Sequence, residues 1–149
     1  MKQIKVGKSH IAFIDDEDFE EISKYKWNLF KCLNTFYARN RDKTRMHRII
    51  MNAKKGEQVD HIDGDGLNNQ KNNLRIASYS QNGANRKVVN KKYSKYLGVY
   101  KTHDKWQAAT RKNKILYVAG YFDNEKDAAL AYNKIAFLHH GEFAKLNVI

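Results

Sequence analysis

One segment, residues 59–82, constrains the fold of this chain more than any other. It reads VDHIDGDGLNNQKNNLRIASYSQN, and its centre is rich in Asp, Asn and Gly, which favour turns. Near its end, Ser78 and Gln81 have the spacing of a capping box, which predicts that a helix begins after Ser78. The segment therefore combines a turn-rich loop with the start of a helix, and polar residues precede and follow the loop in the sequence.

The same loop suggests a calcium site through Asp63 and Asp65, but the spacing excludes it. Counted from Asp63, a calcium-binding loop requires Gly where Asn68 stands and Glu where Leu74 stands. We therefore interpret Asp63 as a turn residue.

The whole pattern resembles the HNH endonuclease motif, in the variant found in phage and intron-encoded homing endonucleases. The resemblance implies a strand ending at residues 59–61, a loop, a second strand led by residues 73–76, and a helix that carries Asn82. It implies His61 as the base that deprotonates water, with Asp60 and Asn82 as metal ligands. The middle asparagine of the motif is Asn73, whose amide pins the loop, and Asn69 is the competing assignment.

The last residue of the motif differs from the usual H-N-H pattern, because Asn82 occupies the position where a histidine is usual. Two oxygen ligands without a thiolate favour Mg²⁺ or Mn²⁺ over Zn²⁺. The resemblance implies 5′-phosphate and 3′-hydroxyl products, and one site per chain predicts a nick in one strand. Two further residues have open roles. Arg75 contacts phosphate or forms a salt bridge between helix and sheet, and His47 supports the structure, with a phosphate contact as the less favoured alternative.

The charge of the chain indicates a polyanionic partner. The sequence has 28 Lys and Arg against 16 Asp and Glu, a formal net charge of +12. Ten basic residues and one acidic residue, Asp104, fall within residues 86–114, so this stretch is the expected nucleic-acid footprint. The single cysteine, Cys32, excludes an internal disulfide and a multi-cysteine zinc cluster.

Residues 96–147 resemble the Apetala-2 or ethylene-response-factor (AP2/ERF) DNA-binding domain. The resemblance is carried by Gly98-Val99, Trp106, Gly120-Tyr121-Phe122 and the closing GEFAKLN. It implies a three-stranded sheet in the major groove with a helix packed behind it. Strand alternation places Trp106 towards the helix and Arg111 towards DNA. The predicted DNA-binding residues lie in this domain, in the basic stretch before it and at Arg75. They are Arg75, Arg86, Lys87, Tyr100, Lys101, His103, Lys105, Arg111, Lys112 and Lys114.

The predicted architecture is α+β in two parts. Residues 1–86 form the HNH nuclease domain, with a lead-in of short strands at residues 4–6, 10–14, 26–30 and 36–39 and a helix across residues 15–25. Periodicity does not decide whether MHRIIM, residues 46–51, is a helix or a strand. Residues 87–95 form a basic linker, and residues 96–149 form the AP2/ERF-like domain with strands at 97–101, 106–111 and 115–122 and a helix at 125–139.

The sequence therefore predicts a metal-dependent DNA endonuclease of the homing type, acting on double-stranded DNA with Mg²⁺ or Mn²⁺. No apolar run is long enough to span a membrane, and MKQIKVGKSH lacks a signal peptide's apolar core, so we expect a cytoplasmic protein. The resemblance to phage and intron-encoded enzymes implies a phage- or bacterium-encoded chain, and we expect no obligate protein partner. The alternatives are a DNA-binding regulator with a degenerate nuclease fold and, less favoured, a binder of structured RNA.

Overall fold

The computed structural model describes residues 1–33, 35–85 and 94–149, and this part of the chain forms two compact units, Met1–Tyr79 and Ser80–Ile149. Both units mix helices with antiparallel sheets, which confirms the α+β class. Arg86 and Lys87, predicted to bind DNA, and most of the predicted linker lie outside the described residues. The predicted boundaries at residues 86 and 95 stay predictions.

The first unit is built from three antiparallel hairpins and two short helices. In chain order these are β1 (Lys2–Val6), β2 (His10–Ile14), α1 (Phe19–Ser23), β3 (Asn28–Cys32), β4 (Thr35–Arg39), α2 (Met46–Ile50), β5 (Gln58–His61) and β6 (Leu74–Ala77). Short 3₁₀ helices precede α1 at Asp16–Asp18 and β6 at Lys71–Asn73. Helix α3 (Tyr79–Ala84) follows β6, and the division between the units falls at its first residue.

The core of the first unit comes from alternate strand positions. Ile4 and Val6 of β1 and Ala12 and Ile14 of β2 are buried, as expected where one face of a hairpin packs inward. Trp27 completes this core, and its indole N–H donates to the Ile22 carbonyl at 2.9 Å, so the buried ring leaves no unsatisfied donor.

Most predicted elements of the first unit exist, with differences at their ends. Strand β2 has the predicted bounds, whereas β3 begins two residues later than predicted and α1 ends at Ser23 rather than at residue 25. The undecided segment MHRIIM is helical as α2, in which Met46 and His47 are buried. The guanidinium of Arg48 in this helix donates to the carbonyls of Ala53, Lys54 and Glu57, which ties the helix to the chain that follows it.

The second unit is a three-stranded antiparallel sheet packed on one long helix. Its elements are β7 (Val99–Thr102), β8 (Lys105–Lys112), β9 (Ile115–Phe122) and α4 (Glu125–His140), with the strands in sequence order. Ala128, Ala129 and Ala136 of α4 are fully buried, so small side chains bring the helix close to the sheet as predicted. Gly98 also serves this approach, because a Cβ there would lie 2.0 Å from the Tyr132 ring.

The predicted ends of α4 are confirmed by their hydrogen bonds. The Asn124 side chain accepts a hydrogen bond from the Asp127 backbone N–H at 2.8 Å, as an N-cap does. Gly141 ends the helix with a φ of +56°, a conformation that favours glycine. None of the described helices is long and apolar enough to span a membrane.

Candidate active site on the β5–β6 hairpin

Asp60 and His61 are the last two residues of β5, where the hairpin with β6 opens into the loop. In the antiparallel register, Asp60 lies opposite Arg75 and His61 lies opposite Leu74. Both are 5% exposed, although each carries a polar side chain. Two adjacent residues of a strand point to opposite faces, so each of these side chains is held by a different set of neighbours.

Asp60 is held by an ion pair with the strand opposite. Nε and Nη2 of Arg75 both donate to Oδ2 of Asp60, at 2.9 and 2.7 Å. Both side chains are largely buried, so this pair is better defined than an exposed one. A salt bridge of Arg75 is present, but it joins two strands and not a helix and a sheet as predicted, and a contact with phosphate stays a prediction.

His61 is surrounded by two aromatic rings and one amide. The His47 ring of α2 lies edge-on to it with 4.9 Å between the ring centroids, and the Tyr37 ring of β4 lies at 5.8 Å. Oδ1 of Asn69 lies 3.2 Å from Nε2 of His61. His47, read from the sequence as supporting structure, thus packs directly against the predicted base.

The buried position changes the pKa of both histidines. Burial is the main cause that lowers the pKa of His47 to about 2, and the positive charges of a protonated His61 and of nearby arginines contribute to the same shift. Burial also lowers the pKa of His61, although the hydrogen bond to Asn69 and the charges of Asp63 and Asp60 oppose this effect. Both rings are therefore neutral at physiological pH, as a proton acceptor must be.

The loop between the two strands is fixed by side chains that bond to its own backbone. Oδ1 of Asp63 accepts the Asp65 backbone N–H at 2.7 Å, and its other oxygen accepts Nδ2 of Asn68 at 2.8 Å. Burial raises the pKa of Asp63, but these bonds and one from Asn73 outweigh it, so the pKa lies below its ordinary value. Asp63 is a turn residue, as the sequence indicated.

The two candidate asparagines have different tasks. Oδ1 of Asn73 accepts the Asp63 backbone N–H at 3.1 Å, while its Nδ2 donates to Asp63 and to the Asn68 carbonyl. Asn73 therefore holds the loop, as expected of the middle asparagine. Asn69 is fully buried and contacts the His61 ring instead.

Sequence reasoning missed two residues that shape this site. Tyr37 was predicted only as part of a strand, yet its ring contacts both His47 and His61. Asp15 was predicted as a helix-start acid, but its carboxylate accepts hydrogen bonds from Gln70 Nε2 at 3.2 Å and the Lys71 backbone N–H at 2.8 Å. No local signal reveals these contacts, because each joins segments far apart in the sequence.

The predicted metal ligands are placed on their expected elements. Asp60 ends β5, and Asn82 is half-buried in α3, the helix that follows β6. Among the described residues, no three His, Cys, Asp or Glu side chains cluster as a metal site. A carboxylate and an amide oxygen form a hard donor set, which fits Mg²⁺ or Mn²⁺ completed by water and phosphate. That Asp60 and Asn82 share one ion stays a prediction.

The sheet of the second unit has one face turned away from α4. Tyr100, Gln107 and Tyr121 pair across the three strands and share this face, and Gln107 Nε2 donates to the Tyr121 hydroxyl at 3.0 Å. Arg111 lies further along β8 on the same side and is exposed. Trp106 is half-buried on the other side against the core, as predicted.

The other predicted DNA contacts of this unit fall into three groups. Lys101 and Lys112 are on the helix side, where the Lys101 ammonium lies 4.8 Å from the Trp106 ring and Lys112 donates to the His139 carbonyl. Lys105 forms a salt bridge with Asp123. His103 and Lys114 lie in the two hairpin turns and have positive φ values. Contact with DNA stays a prediction for every one of them.

A hairpin with Asp and His at the end of its first strand, an asparagine-pinned loop and a following helix define the nuclease unit of an HNH protein. A family model described as HNH endonuclease matches residues 45–84. The chain is also 35% identical over 152 residues to an uncharacterized HNH endonuclease of Acanthamoeba polyphaga mimivirus, and the alignment covers 96% of this chain and 78% of that relative. The chain belongs to the HNH endonuclease family and is a nuclease. No solved structure matches it.

Proposed function

We propose that this chain is a metal-dependent endonuclease of the homing type that hydrolyses one phosphodiester bond of double-stranded DNA, leaving a nick. The observation that carries the proposal is the buried, neutral His61 beside Asp60 at the end of β5, followed by a loop that Asn73 holds by hydrogen bonds. A neutral imidazole accepts a proton near neutral pH, and a rigid loop keeps it in place. The expected products carry 5′-phosphate and 3′-hydroxyl ends.

The proposed metal ligands are Asp60 and Asn82, which provide hard oxygen donors for Mg²⁺ or Mn²⁺. When bound, such an ion offsets the negative charge that develops on the phosphate and on the leaving oxygen. Arg75 neutralises one oxygen of Asp60 and fixes the orientation of the carboxylate. The ion pair holds the Asp60 carboxylate in one orientation in a buried position, as a metal ligand requires.

A nicking assay tests the catalytic assignment. Supercoiled plasmid is incubated with the full chain and Mg²⁺ or Mn²⁺, with and without chelator, and the relaxed form is quantified. Loss of a general base lowers the reaction rate about 100- to 10,000-fold. We expect His61→Ala to lose activity by this factor and to bind DNA with unchanged affinity. His10→Asn, which removes a partly exposed histidine of β2, is the matched control and keeps the wild-type rate.

Wild-type cleavage by His61→Ala would contradict the assignment of the base. Zinc that is retained through dialysis in a one-to-one ratio and required for activity would contradict the assignment of the metal. A chain that binds duplex DNA tightly yet never cuts it, with either ion, would instead support a DNA-binding regulator. The observation that favours this second candidate is the engagement of Asp60 by Arg75, which competes with a metal ion for the carboxylate.

The second unit is proposed as an AP2/ERF-like domain that delivers the nuclease to duplex DNA. The support is the sheet face that carries Tyr100, Gln107, Tyr121 and Arg111, which presents hydrogen-bonding groups and a guanidinium on the side away from α4. Base edges in the major groove are read by such side chains, and arginine forms paired hydrogen bonds with guanine. Lys101, Lys105 and Lys112 have partners within the unit, so Arg111 is the side chain most suited to contact DNA.

A further inference from the structure

We infer that Asn69 sets the tautomer of His61 and thereby makes Nδ1 the nitrogen that accepts the proton from the attacking water. Asn69 is then a positioning residue, because it acts on the reaction through His61. The inference deepens the proposed function, since it assumes that His61 is the base. It assigns a role to an asparagine that the sequence offered only as an alternative for the loop-pinning position.

The orientation of the Asn69 amide follows from its second contact. Nδ2 of Asn69 donates to the Leu67 carbonyl at 3.1 Å, so Oδ1 is the atom that faces Nε2 of His61 at 3.2 Å. A reversed amide would place its oxygen against the carbonyl oxygen of Leu67, and two acceptors repel each other. A carbonyl oxygen only accepts hydrogen bonds, so Nε2 of His61 carries a hydrogen.

Asn69 is itself held in place by the backbone of β2. Its backbone N–H donates to the Phe13 carbonyl at 2.7 Å, and the Phe13 N–H donates to the Leu67 carbonyl at 2.8 Å. Two segments distant in sequence therefore fix both the position of Asn69 and the carbonyl that orients its amide. The residue is fully buried, which strengthens these bonds and makes loss of any one costly.

A neutral imidazole has one N–H and one lone pair, so a hydrogen on Nε2 leaves the lone pair on Nδ1. In the proposed reaction, water gives one proton to Nδ1 and its oxygen bonds to phosphorus as the bond to the 3′-oxygen breaks. The leaving oxygen takes a proton from solvent, and His61 later returns its extra proton to solvent. Throughout, Asn69 accepts from Nε2–H, in both the neutral and the charged ring.

The tautomer is measured directly by NMR on the full chain labelled with ¹⁵N-histidine, without DNA. A long-range ¹H–¹⁵N spectrum recorded above neutral pH distinguishes a ring protonated on Nε2 from one protonated on Nδ1, and His61→Gln identifies the His61 signals. We expect His61 to be protonated on Nε2 with Nδ1 unprotonated. A ring protonated on Nδ1 overturns the inference, whatever the cleavage activity of the chain.

Two variants link the tautomer to the reaction. Asn69→Leu keeps a similar volume and removes the acceptor, so the Nε2–H form should lose its dominance and the single-turnover cleavage rate should fall about 10- to 100-fold, with an unchanged dissociation constant for DNA. Asn69→Asp keeps an acceptor and should retain the Nε2–H form and most of the rate. Asn40→Ala is the matched control, because it removes another buried amide of the same unit, which accepts from the Thr44 N–H.

Equal losses of rate in Asn69→Leu and Asn69→Asp, with the wild-type tautomer in both, would show a merely structural role and overturn the inference. If Asn69→Leu fails to fold, the wild-type and Asn69→Asp spectra still decide it. Failure of the wild-type chain to cleave DNA overturns the proposed function and not the tautomer, because the spectrum needs no substrate.

Discussion

At the scale of single residues, the site is notable for two neutral histidines in contact. His47 and His61 lie edge to face with 4.9 Å between the ring centroids, and both are nearly inaccessible to solvent. Charging either ring costs desolvation, and charging both adds repulsion at short distance. The pair therefore favours one protonation pattern: His47 stays neutral, and His61 is the ring that accepts a proton.

The buried His47 makes the stability of the protein depend on pH. Its pKa is about 2 in the native chain and near 6.5 when exposed, so below pH 6.5 the unfolded chain binds more protons at this residue. Stability therefore rises with pH across the window from about 2 to 6.5, and is lost as pH falls through it. The slope from one such residue is about 1.4 kcal/mol per pH unit.

We predict that His47→Phe, which keeps a ring against Tyr37 and His61, flattens this dependence. Denaturant unfolding measured between pH 6.5 and pH 4 should show a smaller loss of unfolding free energy per pH unit than in the wild type, by about 1.4 kcal/mol. The exposed His103, replaced by Asn, should leave the slope unchanged. An unaltered slope in His47→Phe would show that His47 is not buried as described.

At the scale of elements, the loop after β5 is held against β4 by a close approach at Gly66. A Cβ on Gly66 would lie 2.3 Å from the Phe36 carbonyl oxygen and 2.5 Å from the Tyr37 ring. Because the first of these atoms is backbone, a side chain at residue 66 forces the loop and the strand apart. The Tyr37 ring that packs against His61 is displaced by the same movement.

Gly66→Ala should therefore affect both folding and catalysis. We expect the unfolding free energy to fall by about 1 to 3 kcal/mol, as for other overpacked sites, and the cleavage rate of the folded protein to fall with it. Gly56→Ala is the matched control: its φ of +94° strains any side chain, but no atom lies within 4 Å of the added Cβ. Gly56→Ala should lower the unfolding free energy without lowering the cleavage rate. Equal cleavage rates of the two variants would contradict a role of Gly66 in shaping the active site.

The ends of elements show where local sequence is sufficient. Asn124 and Gly141 bound α4 as predicted, because capping depends on residues adjacent in the chain. Helix α2 was not predicted, since five residues with mixed apolar positions do not define a period. Its stability comes from Arg48 bonding to three carbonyls beyond the helix and from the burial of Met46 and His47, both of which require the tertiary structure.

At the scale of the whole molecule, the two units differ in the functions proposed for them. The first contains Asp60, His61 and Asn73, and the second contains the sheet face with Arg111, Tyr100 and Tyr121. Basic residues are concentrated in residues 86–114, all of which belong to the second unit. Affinity for DNA and chemistry on DNA are thus expected to respond to different substitutions.

Our prediction for this division of labour compares Arg111→Ala with Lys134→Ala. The first removes the exposed guanidinium of the open sheet face, and the second removes an equal charge from an exposed position of α4. Arg111→Ala should weaken binding to the cognate duplex by about 1 to 3 kcal/mol at fixed salt, without changing the metal requirement. Lys134→Ala should bind like the wild type.

Removal of residues 96–149 extends the same prediction. The shortened chain should retain weak, poorly selective nicking, because the base and its loop remain. Binding is compared at one salt concentration, since affinity driven by phosphate contacts falls steeply with salt. If the shortened chain binds its site as tightly and selectively as the full chain, the delivery role of the second unit must be given up.

The sequence by itself determined the α+β class, the hairpin with Asp60 and His61 at its end, the loop held by Asn73 and the limits of α4. The turn-rich loop and the limits of α4 follow from neighbouring residues, since turn formation and capping act over a few positions. The hairpin and the role of Asn73 follow from the resemblance of residues 59–82 to the HNH motif. Only the tertiary structure decided what surrounds His61. Tyr37, His47 and Asn69 come from a strand, a helix and a loop that burial brings together, and the hydrogen bond that selects a ring nitrogen exists only after these segments have packed.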